Sequence, residues 1–244
     1  MTTSWQYEMR QRIAESEAMP ENVDLSVKRA VVRSCSYSTA KKIIETYEWL
    51  GNLSAINQFY FGIYFQAKSK EGIPSKGLFP NSEVCGGAVV FGPDYGENLK
   101  IWDKYGFTGK IILLNRGACC YWTPKNTASK LITQAIKKLP PKYEIVTCTV
   151  DSRAGEVGTI YQACNFIYVG AMGGRHIAII HKGKMISDRS INRRGGKQKV
   201  LRTLNGAEVV LQSVKARYFY FRKNEKRHKV AIEQLIKPYP KRET

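Results

Sequence analysis

The chain has 244 residues, 43% of them hydrophobic, and carries 39 Lys and Arg against 20 Asp and Glu, a net charge of +19. That is enough for one large domain with a real core, and no apolar run approaches the ~18–20 residues of a membrane span. The polar opening MTTSWQYEMRQRIAESEAMPE lacks the apolar centre of a signal peptide, so a cytoplasmic protein without a membrane partner is expected.

The charge is uneven: residues 175–244 are net +14 and the first 174 only +5. A basic surplus so concentrated favours a polyanion, nucleic acid first, over a merely solvated surface, which would mix both signs. None of the six cysteines forms a CxxC pair and Cys119 adjoins Cys120, so reduced core thiols are expected. With only His176, His181 and His228 available, neither an assisted thiolate nucleophile nor a metal site is predicted.

Trp5, Met9 and Ile13 outline a short first helix. Val27–Cys35 reads as a strand around Val31 and Val32. Ser38 is placed as the N-cap of a helix bearing Ala40, Ile43, Ile44 and Tyr47 and ending near Gly51. Phe59–Gln66 and Val84–Phe91 read as strands on either side of a Gly- and Pro-bearing loop at 68–81. Gly109–Trp122 is extended but interrupted at Arg116 and Gly117.

Thr123 then caps a helix with Pro124 in its first position. Ala128, Leu131, Ile132, Ala135, Ile136 and Leu139 give this helix a full apolar stripe, and Pro140–Pro141 end it. Tyr143–Val150 is a strand. It leads into Asp151–Gly170, DSRAGEVGTIYQACNFIYVG, which reads as a turn, a helix with Val157, Ile160, Tyr161 and Cys164 on one face, and the extended run Phe166–Val169. His176–His181 is extended, 182–196 is a polar run, and Glu208–Ser213 and Ala216–Phe221 read as strands. A short helix at Val230–Ile236 and an extended tail follow. The expected division is residues 1–174 as the core and 175–244 as a basic, β-rich extension of the same domain.

The order strand, helix, three strands, helix, strand, helix, strand resembles the GCN5-related N-acetyltransferase (GNAT) fold, an α/β architecture with a mixed central sheet flanked by helices. GTIYQACNFIYVG is similar to that superfamily's late helix-and-strand signature. Taken with NRGACCYWTPKNTASKLI, VDSRAGEVGTIYQACNFIYVG, RYFYF and KPYPK, the chain resembles the phage Mom DNA-modification family. The resemblance implies an acyltransferase-like enzyme that places a carbamoylmethyl group on the exocyclic nitrogen of adenine in double-stranded DNA. It would shield phage DNA from restriction in a bacterial host. Such chemistry requires the base to leave the stack and cations to hold the phosphates.

On that resemblance Tyr161 protonates the leaving group; on its pattern alone it is a core tyrosine. Asp151, at the end of a strand, positions or deprotonates the attacking amine, or else caps the turn. Arg116 in an apolar strand needs a partner and would hold a carboxylate or polarise a carbonyl or phosphate. Thr123, Asn126, Ala128 and Ser129 form the donor-binding helix start, where backbone N–H groups favour an anion, with Ser129 also counted among the catalytic residues. This loop reads TPKNTAS, without the glycines usual in the fold. Two acyl donors fit: acetyl-CoA, or an activated glycine such as glycyl-tRNA, whose amide would rearrange to the carbamoylmethyl product.

DNA contact is assigned to Lys182, Lys184, Arg189, Arg193, Arg194, Lys197, Lys199, Arg217, Arg222 and Lys223. The aromatic strand Tyr218–Phe221 would stack a base or, preferably, pack the core. The rival readings are an N-acetyltransferase acting on RNA or protein, and a non-catalytic DNA-binding protein on a transferase scaffold.

Overall fold

The computed structural model describes residues 4–53, 56–66, 83–94, 96, 99–172, 176–181, 184–187, 191, 194–212 and 215–241. In chain order these form α1 (Trp5–Ser16), β1 (Val31–Ser34), α2 (Tyr37–Tyr47), β2 (Phe59–Gln66), β3 (Glu83–Gly92), β4 (Ile111–Cys119), α3 (Thr127–Lys138) and β5 (Ile145–Val150). Then come α4 (Thr159–Ala163), β6 (Ile167–Ala171), β7 (His176–His181), β8 (Lys184–Ser187), α5 (Lys197–Thr203), β9 (Glu208–Gln212), β10 (Ala216–Phe221) and α6 (Glu225–Ala231). The predicted loop at 68–81 lies outside the described residues. No described helix is long and apolar enough to cross a membrane.

The large sheet has the order β1-β2-β3-β4-β5-β10-β6, and a small one has the order β8-β7-β9. Every pairing in the large sheet is antiparallel except β4 with β5. β4 and β5 pair only from Ile111 opposite Ile145 to Leu113 opposite Thr147. Beyond those rungs β4 continues on β3 and β5 continues on β10, so a wedge opens between their C-terminal ends.

Both faces of the sheet are covered, and for that reason β2 and β3 read as continuous rather than alternating apolar runs. On one face Leu131, Ile132, Ala135 and Ile136 of α3 pack on Phe61, Ile63, Phe65, Val89 and Phe91. On the other, Ala40, Ile43 and Ile44 of α2 pack on Tyr64, Cys85, Ala88 and Val90. A third cluster gathers Trp102, Phe107, Phe219 and Phe221, and against it His228 of α6 meets Glu144 at 2.9 Å. The small sheet has its own core of Ile179, Ile191 and Val200.

Several predicted boundaries move. Ser36, not Ser38, caps α2, accepting from the Thr39 N–H at 3.1 Å. Arg116 does not interrupt β4: the strand runs through it, and a bulge leaves Asn115 unpaired between Arg116 opposite Val90 and Leu114 opposite Phe91. Asn115 uses that freedom to donate to Asn57 at 2.8 Å. Neither Thr123 nor Pro124 begins α3. Asn126, at φ 72°, turns the chain into the helix at Thr127, and the Thr123 hydroxyl instead donates to the Cys120 carbonyl at 2.7 Å. The helix after Asp151 is shorter than its pattern: Ser152–Ala154 is 3-10, Val157 lies outside, and only Thr159–Ala163 is α-helical. The polar run at 182–196 conceals β8, and α5 begins directly after it. The last helix begins at Glu225, ahead of the predicted Val230. ARYFYF is central rather than peripheral, with Tyr218, Phe219 and Phe221 buried between β5 and β6, as the packing alternative required.

Candidate active site in the wedge between β4 and β5

The wedge holds a cavity of about 310 Å³ lined by Glu48, Trp49, Arg116, Asp151, Glu156, Tyr161 and Lys215 among others. Each polar group arrives on a different element. The bulge at Asn115 sets the register that carries Arg116 into the wedge, the end of β5 delivers Asp151, and α4 delivers Tyr161. Arg116, Asp151 and Tyr161 were all expected from the sequence, and they meet here. Gly158 makes α4 possible: it enters the helix at φ 71° and sits so close to the Tyr218 ring that a Cβ would lie 2.6 Å from it.

Tyr161 is half-buried, its ring packed on Phe166 at 5.4 Å and on Tyr218 at 5.7 Å. Burial first, then the neighbouring Cys148, Glu156 and Glu48, push its hydroxyl well above the ordinary phenol range, so it is a protonated donor at neutral pH. Asp151 is buried, and its carbonyl accepts from the Ala154 N–H at 3.0 Å, which starts the 3-10 turn.

Three residues the sequence did not single out complete the cavity. Glu48 follows α2 and is only 7% exposed; Arg116 Nε stands 3.7 Å from its Oε1. Its Oε2 is buried without a hydrogen-bond partner among the described residues. Burial raises the Glu48 carboxyl to about 7, with Glu156 adding to the rise and Arg116 and Lys215 opposing it. Glu156 is held at both oxygens, by Trp49 Nε1 at 2.9 Å and by the Asp151 N–H at 3.1 Å. Trp49 in turn meets Trp5 edge-on at 4.9 Å. Helix α1 straps the site: Gln6 donates to the Tyr47 carbonyl and accepts from the Trp49 N–H, while Arg10 donates to the Tyr121 and Thr123 carbonyls. The only sequence signal for Glu48 and Glu156 was acidity beside a helix boundary, where a charge ordinarily faces water.

A second cavity, of about 400 Å³, lies at the start of α3 and is lined by Arg10, Cys119, Thr123 to Ser129, Ile160 and Ala163. It therefore gathers Thr123, Asn126, Ala128 and Ser129, and sets Ser129 apart from the other three candidate catalytic residues. The Ser129 hydroxyl donates to the Asn126 carbonyl at 3.0 Å. No side chain caps this helix start; the Thr127 N–H donates to the Pro124 carbonyl at 3.3 Å, and the N–H groups that follow it are oriented for an anion. Ile160 lines both cavities. Among the described residues no group of three or more His, Cys, Asp or Glu is placed to hold a metal ion.

The cations divide. Arg194, Lys197, Lys199 and Lys223 are exposed. Arg217 turns inward: it bonds Asp94 at 2.7 Å and Thr147 at 2.9 Å and lies 4.9 Å over the Trp102 ring. Arg222 caps the end of α3, donating to the carbonyls of Leu139, Pro140 and Tyr143. Lys182, Arg189 and Arg193 lie outside the described residues, and Lys184 is described through its backbone on β8.

The family model described as the Mom protein family matches residues 29–241, which takes in the whole of the two sheets and all of the cavity linings except Ser4, Gln6 and Arg10. The chain belongs to the Mom protein family. One Mom relative, the methylcarbamoylase mom of Escherichia phage Mu, is 31% identical over 127 residues, 48% of this chain and 51% of that protein. The chain thus spans about half the length of the curated relative it matches. Solved structures similar to this Mom-family chain include spermidine N-acetyltransferase from Vibrio cholerae in complex with CoA and spermine. Its identity is 9% with a TM-score of 0.40, covering 80% of this chain and 96% of that one. Another is a GNAT-family acetyltransferase from Streptococcus pneumoniae, at 14% identity and a TM-score of 0.41, covering 79% and 99%.

Proposed function

We propose that this protein is a DNA-modifying enzyme that transfers an acyl-derived, carbamoylmethyl-type group to the exocyclic amine of adenine in double-stranded DNA. The product would protect phage DNA from restriction inside the bacterial cytoplasm. The observation that carries this reading is the wedge between β4 and β5, where Arg116, Asp151 and Tyr161 converge in a chain of the Mom family. The name of its phage Mu relative, a methylcarbamoylase, agrees with the group transferred.

In this reading a flipped adenine enters the first cavity, unstacked at a cost of a few kcal/mol, and the activated donor occupies the second. The start of α3 faces the donor's phosphates with its backbone N–H groups, through the turn from Thr123 to Ser129. The two sites meet at Ile160. Asp151 orients the amine, and Arg116 stabilises the negative charge that develops on the donor carbonyl. Tyr161, held protonated, supplies the proton that the leaving oxygen or sulfur needs. Arg194, Lys197, Lys199 and Lys223, with Lys182, Lys184, Arg189 and Arg193, hold the phosphate backbone, making residues 175–244 the main DNA-contacting part of the domain.

Acetyl-CoA would leave a carbonyl carbon on the adenine nitrogen. A glycyl donor such as glycyl-tRNA gives an amide whose terminal amine attacks the ring carbon C6. The bond from C6 to the original exocyclic nitrogen breaks, that nitrogen becomes the terminal carboxamide, and the glycine nitrogen, now exocyclic on C6, carries the methylene. The carbamoylmethyl product and the glycine-free donor turn together favour the second donor.

Expression in a bacterium followed by nucleoside mass spectrometry tests the reading. The expected result is a modified deoxyadenosine that disappears in Tyr161→Phe. Modified RNA nucleosides with unmodified DNA would sink it. Supplying nitrogen-labelled glycyl-tRNA then separates the donors, because the label must appear on the nitrogen attached to the adenine ring.

A further inference from the structure

Three carboxylates face the first cavity, and they are not equivalent. Glu156 has each oxygen engaged, one by the Trp49 indole and one by the Asp151 N–H. Asp151 has interactions of its own and closes the turn behind it. Glu48 differs from both. It is buried and lines the cavity, its Oε1 leans on Arg116 at 3.7 Å, and its Oε2 is a buried acceptor to which none of the described residues donates. Buried acceptors are nearly always satisfied, and an orphan at a cleft wall indicates a group that the ligand supplies. An exocyclic amine brings two N–H donors and no competing charge, so it suits that acceptor.

We infer that Glu48 is a catalytic residue, the carboxylate that accepts a proton from the attacking amine. This rests on the functional reading above and extends it to a residue outside the expected set. The amine nitrogen bonds to the donor's carbonyl carbon, and the bond from that carbon to the leaving oxygen or sulfur breaks, with its electron pair going to the leaving atom. One amine proton passes to Glu48 Oε2. The leaving atom takes its proton from the Tyr161 hydroxyl, and Tyr161 is restored by the proton held on Glu48 through solvent after product departs. Arg116 keeps Glu48 ionised enough to act and fixes the oxygen that does not receive the proton.

The groups facing Glu48 are Arg116 from β4, Glu156 from the turn before α4, Tyr161 from α4, Lys215 from the approach to β10, and the Gly51 N–H beyond α2. Burial first, set against these groups, leaves the carboxyl at about 7, close to the operating pH, which is where proton acceptance is most effective.

The test compares the wild-type chain, Glu48→Gln and Glu48→Asp for modified deoxyadenosine formed per minute across pH 5.5 to 9 (about three and a half decades in proton concentration). DNA affinity and thermal melting are measured in parallel. The expectation is a wild-type rate that climbs through pH ~7, a fall of about 100-fold in Glu48→Gln together with loss of that climb, and unchanged DNA affinity. If Glu48→Gln melts early, Glu48→Asp decides: a retained climb with a displaced midpoint supports the role, and an undisplaced or absent one overturns it. Activity of Glu48→Gln within about threefold of wild type, with the same pH profile, overturns the role of Glu48 and leaves the functional reading intact. A wild type that modifies no adenine overturns the functional reading itself, and Glu48's role with it.

Discussion

The Trp49 indole donates a 2.9 Å hydrogen bond to Glu156 across a separation of 107 residues. It ties the segment after α2 to the turn that launches α4, and so links two walls of the cavity. Trp49→Phe keeps the aromatic packing but frees Glu156 Oε1. We expect a loss of about 1–2 kcal/mol in chemical denaturation and a roughly tenfold fall in modification rate as α4 loosens. An unchanged rate would show that Glu156 is held by the Asp151 N–H alone.

Glu48 also gives stability an unusual pH dependence. Burial raises its folded carboxyl to about 7, above the usual carboxylate range, so the folded protein binds this proton more tightly than the unfolded chain does. Its contribution is therefore present at low pH and is lost as pH rises through about 7, the reverse of a salt-bridged carboxylate. Glu48→Gln, which cannot ionise, should melt higher than wild type at pH 8 by the equivalent of about 1–3 kcal/mol, and should match it near pH 4–5. Urea denaturation at the two pH values checks this.

Gly158 should tolerate no side chain. At φ 71°, with the Tyr218 ring in the way, Gly158→Ala adds both backbone strain and a clash. A cost of about 2–3 kcal/mol is expected. Because Tyr218 packs on Tyr161 at 5.7 Å, activity should fall further than stability alone explains, which a comparison of rate and melting temperature would reveal.

Arg217 and the cations at and just before the start of α5 should respond oppositely. Asp94 is fully buried; the Gly96 N–H and the Trp102 indole donate to its Oδ1, and Arg217 at 2.7 Å is the cation on its Oδ2. Arg217→Met therefore leaves a buried carboxylate without that countercharge and should cost about 3 kcal/mol. Its DNA affinity, measured well below the melting temperature, should be unchanged. Replacing Arg194, Lys197 and Lys199 with Ser should leave stability intact. It should also flatten the log–log dependence of DNA affinity on salt by about 2 to 3, close to one unit for each phosphate contact removed.

Periodicity made β2 and β3 legible almost to the residue, and β5 and the apolar stripe of α3 legible in place and type, because each buries an apolar run whose spacing matches its geometry. The start of α3 was misplaced because Pro124 after Thr123 looks like a helix opening, whereas the turn is made by Asn126 in a left-handed conformation that leaves no pattern. β8 was hidden inside a polar run because an edge strand of a small sheet needs few apolar residues. At the site, Arg116, Asp151 and Tyr161 stood out as polar residues within or at the ends of apolar elements. Glu48 and Arg217 could not be read correctly, since a charge after a helix or at the start of a strand carries no sign of which way it faces. Packing against β4 buries the first, and Asp94 draws in the second.

β10 is synthesised after β5 and β6 yet lies between them. Until Phe221 leaves the ribosome, the growing chain exposes two bare strand flanks and the apolar ring surfaces that Tyr218, Phe219 and Phe221 will cover. Unpaired flanks of that kind invite pairing with other chains, and a pairing so distant in sequence forms slowly. Production of this protein should therefore be sensitive to translation speed, temperature and chaperone supply. Fragments that stop short of the last strand should collect as aggregates rather than as smaller folded products.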